Sequence, residues 1–173
     1  MKVTRVKENT STVIEDEVIV DTFLSVSLNG EHVVSFICSP GFEEEAALGY
    51  SFSTGILKTT KSIKKLSREE YNVDIQTTEP IAVPKSGANL ITSACGVPDE
   101  WLKLRKGFKL PKVESDLKVS SKVITSAARQ LNERSEVFRR TGGTHAAALF
   151  RIDGQLFFGV EDVSRHVAVD KAI

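Results

Sequence analysis

Cysteine is scarce: a chain of 173 residues carries two, Cys38 and Cys95, too few for a disulfide framework. Net charge is absent as well, with 23 Lys and Arg against 23 Asp and Glu. A neutral chain without a basic run offers no electrostatic attraction to nucleic acid or an anionic membrane. No apolar run approaches the roughly 20 residues that a bilayer-spanning helix needs. The start, Met1-Lys2-Val3-Thr4-Arg5-Val6-Lys7, has basic residues but no apolar stretch behind them, so it does not read as a signal peptide. Repeats and low-complexity segments are missing too. These absences point to the cytoplasm, where both cysteines remain thiols. What is present is a globular composition, 40% hydrophobic and 27% charged, long enough for one good core or one domain with a small appendage.

The first third reads as β. Val18-Ile19-Val20 and Phe23 to Leu28 are rich in β-formers, and Val33 to Cys38 follows after Asn29-Gly30, a strong hairpin signal because both turn residues tolerate positive φ. Ser39-Pro40-Gly41 ends that strand. A helix is expected from Glu43 to about Ser53, with acids in its first turn and Gly55 just past its end. Residues 61–83 suggest a polar hairpin bending near Ser67 to Glu70. Residues 84–116 are crowded with loop signals (Pro84, Gly87, Gly96, Pro98, Pro111) and hold Cys95. A helix from Ser120 or Ser121 to Phe138 carries Val123, Ile124, Ala127, Ala128, Leu131 and Val137 on one side, with serine as a good N-cap. A strand from Ala146 to Ile152, a turn at Asp153-Gly154 and a strand from Gln155 to Val160 form a second hairpin. A last helix runs from about Val163 to Ile173 with no stop signal before the end. Two parts are therefore expected: a β-rich region over 1–116 with one helix and the cysteine loop, and an α/β region over 117–173.

Free cysteines are mostly buried and act as small hydrophobes, and Cys38, which ends an apolar run, fits that description. Cys95 differs. Ser93, Ala94 and Gly96 leave room for another molecule, and backbone N–H groups of a glycine turn can stabilise a thiolate, a minor species at a free pKa of about 8.5. His32, His145 and His166 are scattered, and no CxxC or HExxH occurs. Cys95 with His145 and His166 has the residue types of a zinc set or of a Cys-His nucleophile pair, and spacing decides neither. Thr141-Gly142-Gly143-Thr144-His145 reads either as a plain turn into a strand or as an anion nest of backbone N–H groups beside a histidine. In Glu161-Asp162-Val163-Ser164-Arg165-His166 and Asp170-Lys171, the charged residues read on their own as solvated helix charges with i,i+4 pairing.

Taken together, these segments resemble the FdhD/NarQ family of formate dehydrogenase accessory sulfurtransferases. The matching pieces stand in family order: Leu28-Asn29-Gly30, Ser39-Pro40-Gly41, Glu44 to Tyr50 with Thr54-Gly55-Ile56-Leu57, Thr92-Ser93-Ala94-Cys95-Gly96, Thr141 to Leu149, and Glu161 to Lys171. The resemblance implies an α/β fold with a cytidine-deaminase-like core preceded by a small β-rich N-terminal part. It implies no deaminase chemistry, because the Pro-Cys-x-x-Cys motif of true deaminases is absent.

The implied activity is sulfur transfer. A cysteine desulfurase hands sulfane sulfur to Cys95, which carries it as a persulfide to the molybdenum (or tungsten) bis-guanine-dinucleotide cofactor of formate dehydrogenase. Gly142, Gly143, His145, Arg165 and His166 are the expected cofactor-binding residues, and no catalytic metal is expected. An alternative implied by the same likeness is a non-catalytic cofactor-binding maturation factor or scaffold. Two departures bear on this choice. Many family members carry a second cysteine three residues after the first, where this chain has Pro98. They also continue past the equivalent of Ile173, so the C-terminal part of the family fold is expected to be missing and a homodimer to be one way of completing a sheet edge.

Overall fold

The computed structural model describes residues 1–81, 90–92 and 112–173. Its centre is a five-stranded sheet, built outward from a hairpin. Strands β3 (Thr22–Leu28) and β4 (Glu31–Cys38) pair antiparallel across Asn29-Gly30, whose φ values of 52° and 80° are what a tight hairpin turn requires. The second hairpin, β5 (Ile63–Glu69) and β6 (Asn72–Thr77), docks β6 parallel to β3 with Ser25 opposite Asn72. A two-residue strand, β7 (Leu90–Ile91), runs parallel to β4, giving the order β5-β6-β3-β4-β7. Two further two-stranded sheets are separate from it: β1 (Lys2–Lys7) with β2 (Thr10–Glu15), and β8 (His145–Phe150) with β9 (Leu156–Asp162).

Helix α1 (Glu43–Ser53) lies where the acidic first turn placed it, with Gly55 at φ 76° just past its end. Alanines at 46 and 47 and Tyr50 face the sheet, and Tyr50 meets Phe36 edge to face at 5.2 Å. With Leu24, Val26, Val34, Val73 and Ile75 they form a dry core. On its other side α1 crosses α4 (Arg165–Ala172). The contact is close because position 49 is glycine: a Cβ there would sit 1.8 Å from the carbonyl oxygen of Asp170.

Three expectations are corrected. Val18-Ile19-Val20 is not a strand, since both edges of β3 are already taken by β4 and β6; Val18 and Val20 are exposed, and Ile19 instead lies against Gly143. The helix expected to run on to Phe138 breaks at Ser135 into α2 (Ser121–Arg134) and α3 (Glu136–Thr141). Ser135 is buried with ψ 73°, and its hydroxyl donates back to Leu131 O at 2.8 Å. The N–H groups of Val137 and Phe138, which an unbroken helix would spend on Glu133 and Arg134, go to the Glu161 carboxylate at 2.9 and 2.7 Å. The last helix starts at Arg165, two residues later than the expected start near Val163, because Ser164 keeps an extended backbone (φ −105°, ψ 122°) and its N–H is held by Asp162. Ser120 does cap α2, accepting from Val123 N–H.

Candidate functional site

The loop after β4, the end of β9 and both ends of α4 meet around a buried polar knot. Asp162 and Lys171 form an ion pair of 2.7 Å with side chains 0% and 1% exposed. Lys171 Nζ also donates to Ser39 O at 2.7 Å. The Asp162 carboxylate accepts from Ser39 N–H at 3.0 Å and from Ser164 N–H at 2.7 Å, while Ser39 Oγ accepts from Val163 N–H at 2.9 Å. A charge pair this deep persists only with further hydrogen bonds to its members, and here the carboxylate accepts two backbone amides and the ammonium donates to a carbonyl. The knot ties the five-stranded sheet to the β8–β9 hairpin and to α4.

Asp170, the residue before Lys171, is also buried and accepts from Ser53 Oγ at 2.9 Å. Burial lifts its carboxyl to about 6, against the pull of the Ser53 hydrogen bond, and also pushes the Tyr50 phenol upward. Asp170 and Lys171 are therefore not the solvated helix charges that the local sequence suggests. α4 packs against α1 on one side and the knot on the other, so both residues turn inward.

The Glu43 carboxylate is nearby. Burial works against its ionisation, but N–H groups at Gly41 and Glu43 and the Arg68 guanidinium at 3.1 Å hold the carboxyl below its ordinary range.

The expected site residues divide into three groups. Cys95 lies outside the described residues. Gly142, Gly143 and His145 follow α3: Gly142 is its left-handed cap at φ 66°, with its N–H on Phe138 O at 2.7 Å, and Gly143 N–H donates to Thr141 Oγ1 at 3.1 Å. Both amides are thus engaged inside the turn, which is a helix cap and not an open nest. Glycine at 143 also admits Ile19, since a Cβ there would approach its side chain to 3.0 Å. His145 is exposed at the start of β8, opposite Asp162 in register. Arg165 and His166 open α4, Arg165 exposed and His166 half-buried. The structure therefore brings His145, Arg165 and His166 to the same end of the hairpin as the knot.

Cys38 is sealed at 0% exposure; burial drives its thiol up to about 11, with Asp162, Glu43 and Asp21 reinforcing the shift and Lys171 opposing it. Among the described residues no cluster of three or more His, Cys, Asp or Glu is placed to hold a metal. No helix there is long and apolar enough to cross a membrane.

Sequence reasoning missed Ser39, Glu161 and Ser164. Ser164 stands one residue before a helix with the signature of a cap. No local signal marks Ser39 or Glu161, because their partners are distant: Glu161 accepts from Thr144 Oγ1 at 2.8 Å as well as from the α3 amides.

The sequence model of the FdhD/NarQ family matches residues 19–173. The "Sulfur carrier protein FdhD" of Saccharolobus solfataricus is 33% identical to this chain, over 98% of it and 65% of the relative. The protein of the same name from Sulfurisphaera tokodaii is 33% identical over 100% and 68%, and that of Bacillus subtilis 29% identical over 91% and 62%. The chain thus spans about two thirds of the length of the curated relatives it matches. A crystal structure of a candidate formate dehydrogenase accessory protein from Desulfotalea psychrophila shares the fold, with a TM-score of 0.74 at 21% identity, over 99% of this chain and 64% of the other.

Proposed function

Because the chain belongs to the FdhD/NarQ family, we propose that it is a sulfur carrier acting in formate dehydrogenase maturation. Cys95 takes sulfur as a persulfide from a cysteine desulfurase and passes it to the molybdenum or tungsten bis-guanine-dinucleotide cofactor, the substrate in this reading. In the loading step the Cys95 thiolate attacks the outer sulfur of the donor's persulfide. A new S–S bond forms at Cys95, the donor's S–S bond breaks, and the donor thiolate leaves.

One observation carries the assignment to Cys95. Only two sulfhydryls exist in the chain, and Cys38 is enclosed in the core with its thiol held protonated. The knot then has a supporting role, holding the α4 N-terminus and the head of β8 in one place. His145, Arg165 and His166 are proposed to receive the cofactor there, with Gly142-Gly143 shaping the turn that presents His145. The helix–hairpin–helix order of α2, β8–β9 and α4 supports reading 117–173 as the start of a cytidine-deaminase-like core, with 1–116 as the part that precedes it.

Incubation with a cysteine desulfurase and cysteine, followed by intact mass, should add the mass of one sulfur atom. Cys95→Ala should add none, whereas Cys38→Ala should load normally; equal loading of Cys95→Ala refutes the assignment. Pro98, in place of a second cysteine, favours a second reading, a cofactor-binding scaffold without sulfur turnover. That reading predicts cofactor binding that survives Cys95→Ala and no sulfur uptake by the unaltered chain.

A further inference from the structure

The chain is neutral as a whole, but its charge is not spread evenly. No Asp or Glu stands between Glu45 and Glu69, and that stretch carries Lys58, Lys61, Lys64, Lys65 and Arg68. Arg68 is paired with Glu43 at 3.1 Å. The four lysines are exposed, and none makes an ion pair among the described residues. The neighbouring strand and the segment after it supply two carboxylates. Asp74, opposite Ser67 in register, accepts from Gly30 N–H at 2.8 Å and from Gln76 Nε2 at 3.3 Å, and Glu79 is exposed. Cations therefore outnumber anions there, and one of the anions is already engaged.

The lysines stand on a firm base. Leu57 is buried, and Ile63 and Leu66 pack against the core. Between them a 3₁₀ turn, Thr60–Ser62, is fixed by Lys61 N–H donating to Thr59 Oγ1 at 3.3 Å and by Thr78 N–H donating to Ser62 O at 2.9 Å. β5 is the outermost strand of its sheet, and lysines on such a strand commonly discourage pairing with another chain. That role covers Lys64 and Lys65 alone. Lys58 and Lys61 precede the strand and guard no edge.

A surface of this kind selects its partner by charge. The apolar residues of the stretch, Ile56, Leu57, Ile63 and Leu66, are buried or half-buried, so nothing is offered for insertion into a lipid surface. Residues 53–70 hold no aromatic ring to stack on a base, and their one arginine is engaged by Glu43. A carboxylate-rich protein face fits what remains. Cationic contact without an apolar centre speeds encounter more than it prolongs binding, which suits a chain that must load and leave. In the sulfur-carrier reading, on which this identification rests, the donor is the partner to be recognised by its protein surface, since its cargo is one sulfur atom with nothing else to grip. β5 also leads toward the knot: Arg68, about 13 Å along the strand from Lys64, meets the Glu43 carboxylate that accepts from Gly41 N–H.

We propose that Lys58, Lys61, Lys64 and Lys65 form an electrostatic docking surface for an acidic face of the sulfur-donating protein. The test pairs the full chain with the cysteine desulfurase of the loading assay. Association is measured first, without cysteine, by surface plasmon resonance. At ~0.01 M salt, where charges are felt over about 30 Å, the combined variant Lys58→Glu, Lys61→Glu, Lys64→Glu and Lys65→Glu should associate roughly 10-fold more slowly or worse. The corresponding Lys→Gln variant should fall between it and the parent chain. At ~1 M salt, where screening cuts the range to about 3 Å, all three should associate alike. Sulfur loading is then read by intact mass: the donor concentration for half-maximal loading should rise by the same factor, while the plateau stays at one sulfur atom. These side chains are exposed, so the variants should keep the parent's midpoint of thermal unfolding. Equal association at low salt, a defect that persists at high salt, or no association at all overturns the docking surface. Tighter binding of oligothymidylate, or of phosphatidylcholine vesicles containing phosphatidylserine, than of the desulfurase also overturns it. Salt-sensitive association without sulfur uptake by the parent chain supports the surface and refutes the carrier role, so the two failures are separable.

Discussion

Lys171→Met is the sharpest test of the knot. The substitution keeps the length of the side chain and removes its charge, leaving the Asp162 carboxylate enclosed with two amide donors and no cation. Removing one partner of a buried pair costs about 3–5 kcal/mol, because the remaining charge stays desolvated. Side-chain exposures of 1% and 0% leave no solvent route to soften that figure. At ~2–4 °C per kcal/mol for a chain of this size, the midpoint of thermal unfolding should fall by about 6–20 °C. Urea unfolding of the parent chain, Lys171→Met, Asp162→Asn and the double variant gives the coupling directly. The double variant should recover much of the loss, since it leaves no ion unpaired. A single-variant cost below about 1 kcal/mol, or additive effects in the cycle, would refute the claim that this pair is dry and mutually dependent.

Three other outcomes follow from the same contacts. Asp170 has a folded carboxyl at about 6 against an ordinary 3.8, so the folded state keeps a proton the unfolded chain has lost. Stability should therefore fall between those pH values and stay level above, and Asp170→Asn should gain up to about 3 kcal/mol at pH 8 but little at pH 4 in urea unfolding, by the free energy of the shift; an equal gain at both refutes this. Gly49→Ala forces a Cβ to within 1.8 Å of the Asp170 carbonyl, backbone against backbone, and should cost roughly 3 kcal/mol by calorimetry, where a cost near zero would show that the helices separate freely. Glu161→Gln weakens a charge-assisted cap, so hydrogen exchange should accelerate about 10-fold at Val137 and Phe138 with no change at Val73, and uniform exchange would deny the cap.

Much of the central sheet was legible because its signals are local. Asn29-Gly30 sets the β3–β4 turn, the glutamates and Gly55 bracket α1, and Cys38 closes an apolar strand. The candidate site was legible only as a set of segments. Nothing near Glu161 announces that its carboxylate will cap a helix more than twenty residues upstream, and nothing in Ser121 to Phe138 announces the break that this capping accompanies. Val18-Ile19-Val20 has the composition of a strand, but composition does not say whether a sheet edge is free to receive it.

The amino-acid sequence by itself determined the elements whose causes lie within a few residues, and its ordered motifs were enough to place the chain in a family. Tertiary structure alone decided which charges are structural. Lys171 reaches a carbonyl 132 residues away, Asp162 an amide 123 away and Asp170 a hydroxyl 117 away. A charged side chain carries no mark of the dielectric it will occupy; that is set by what the fold packs around it.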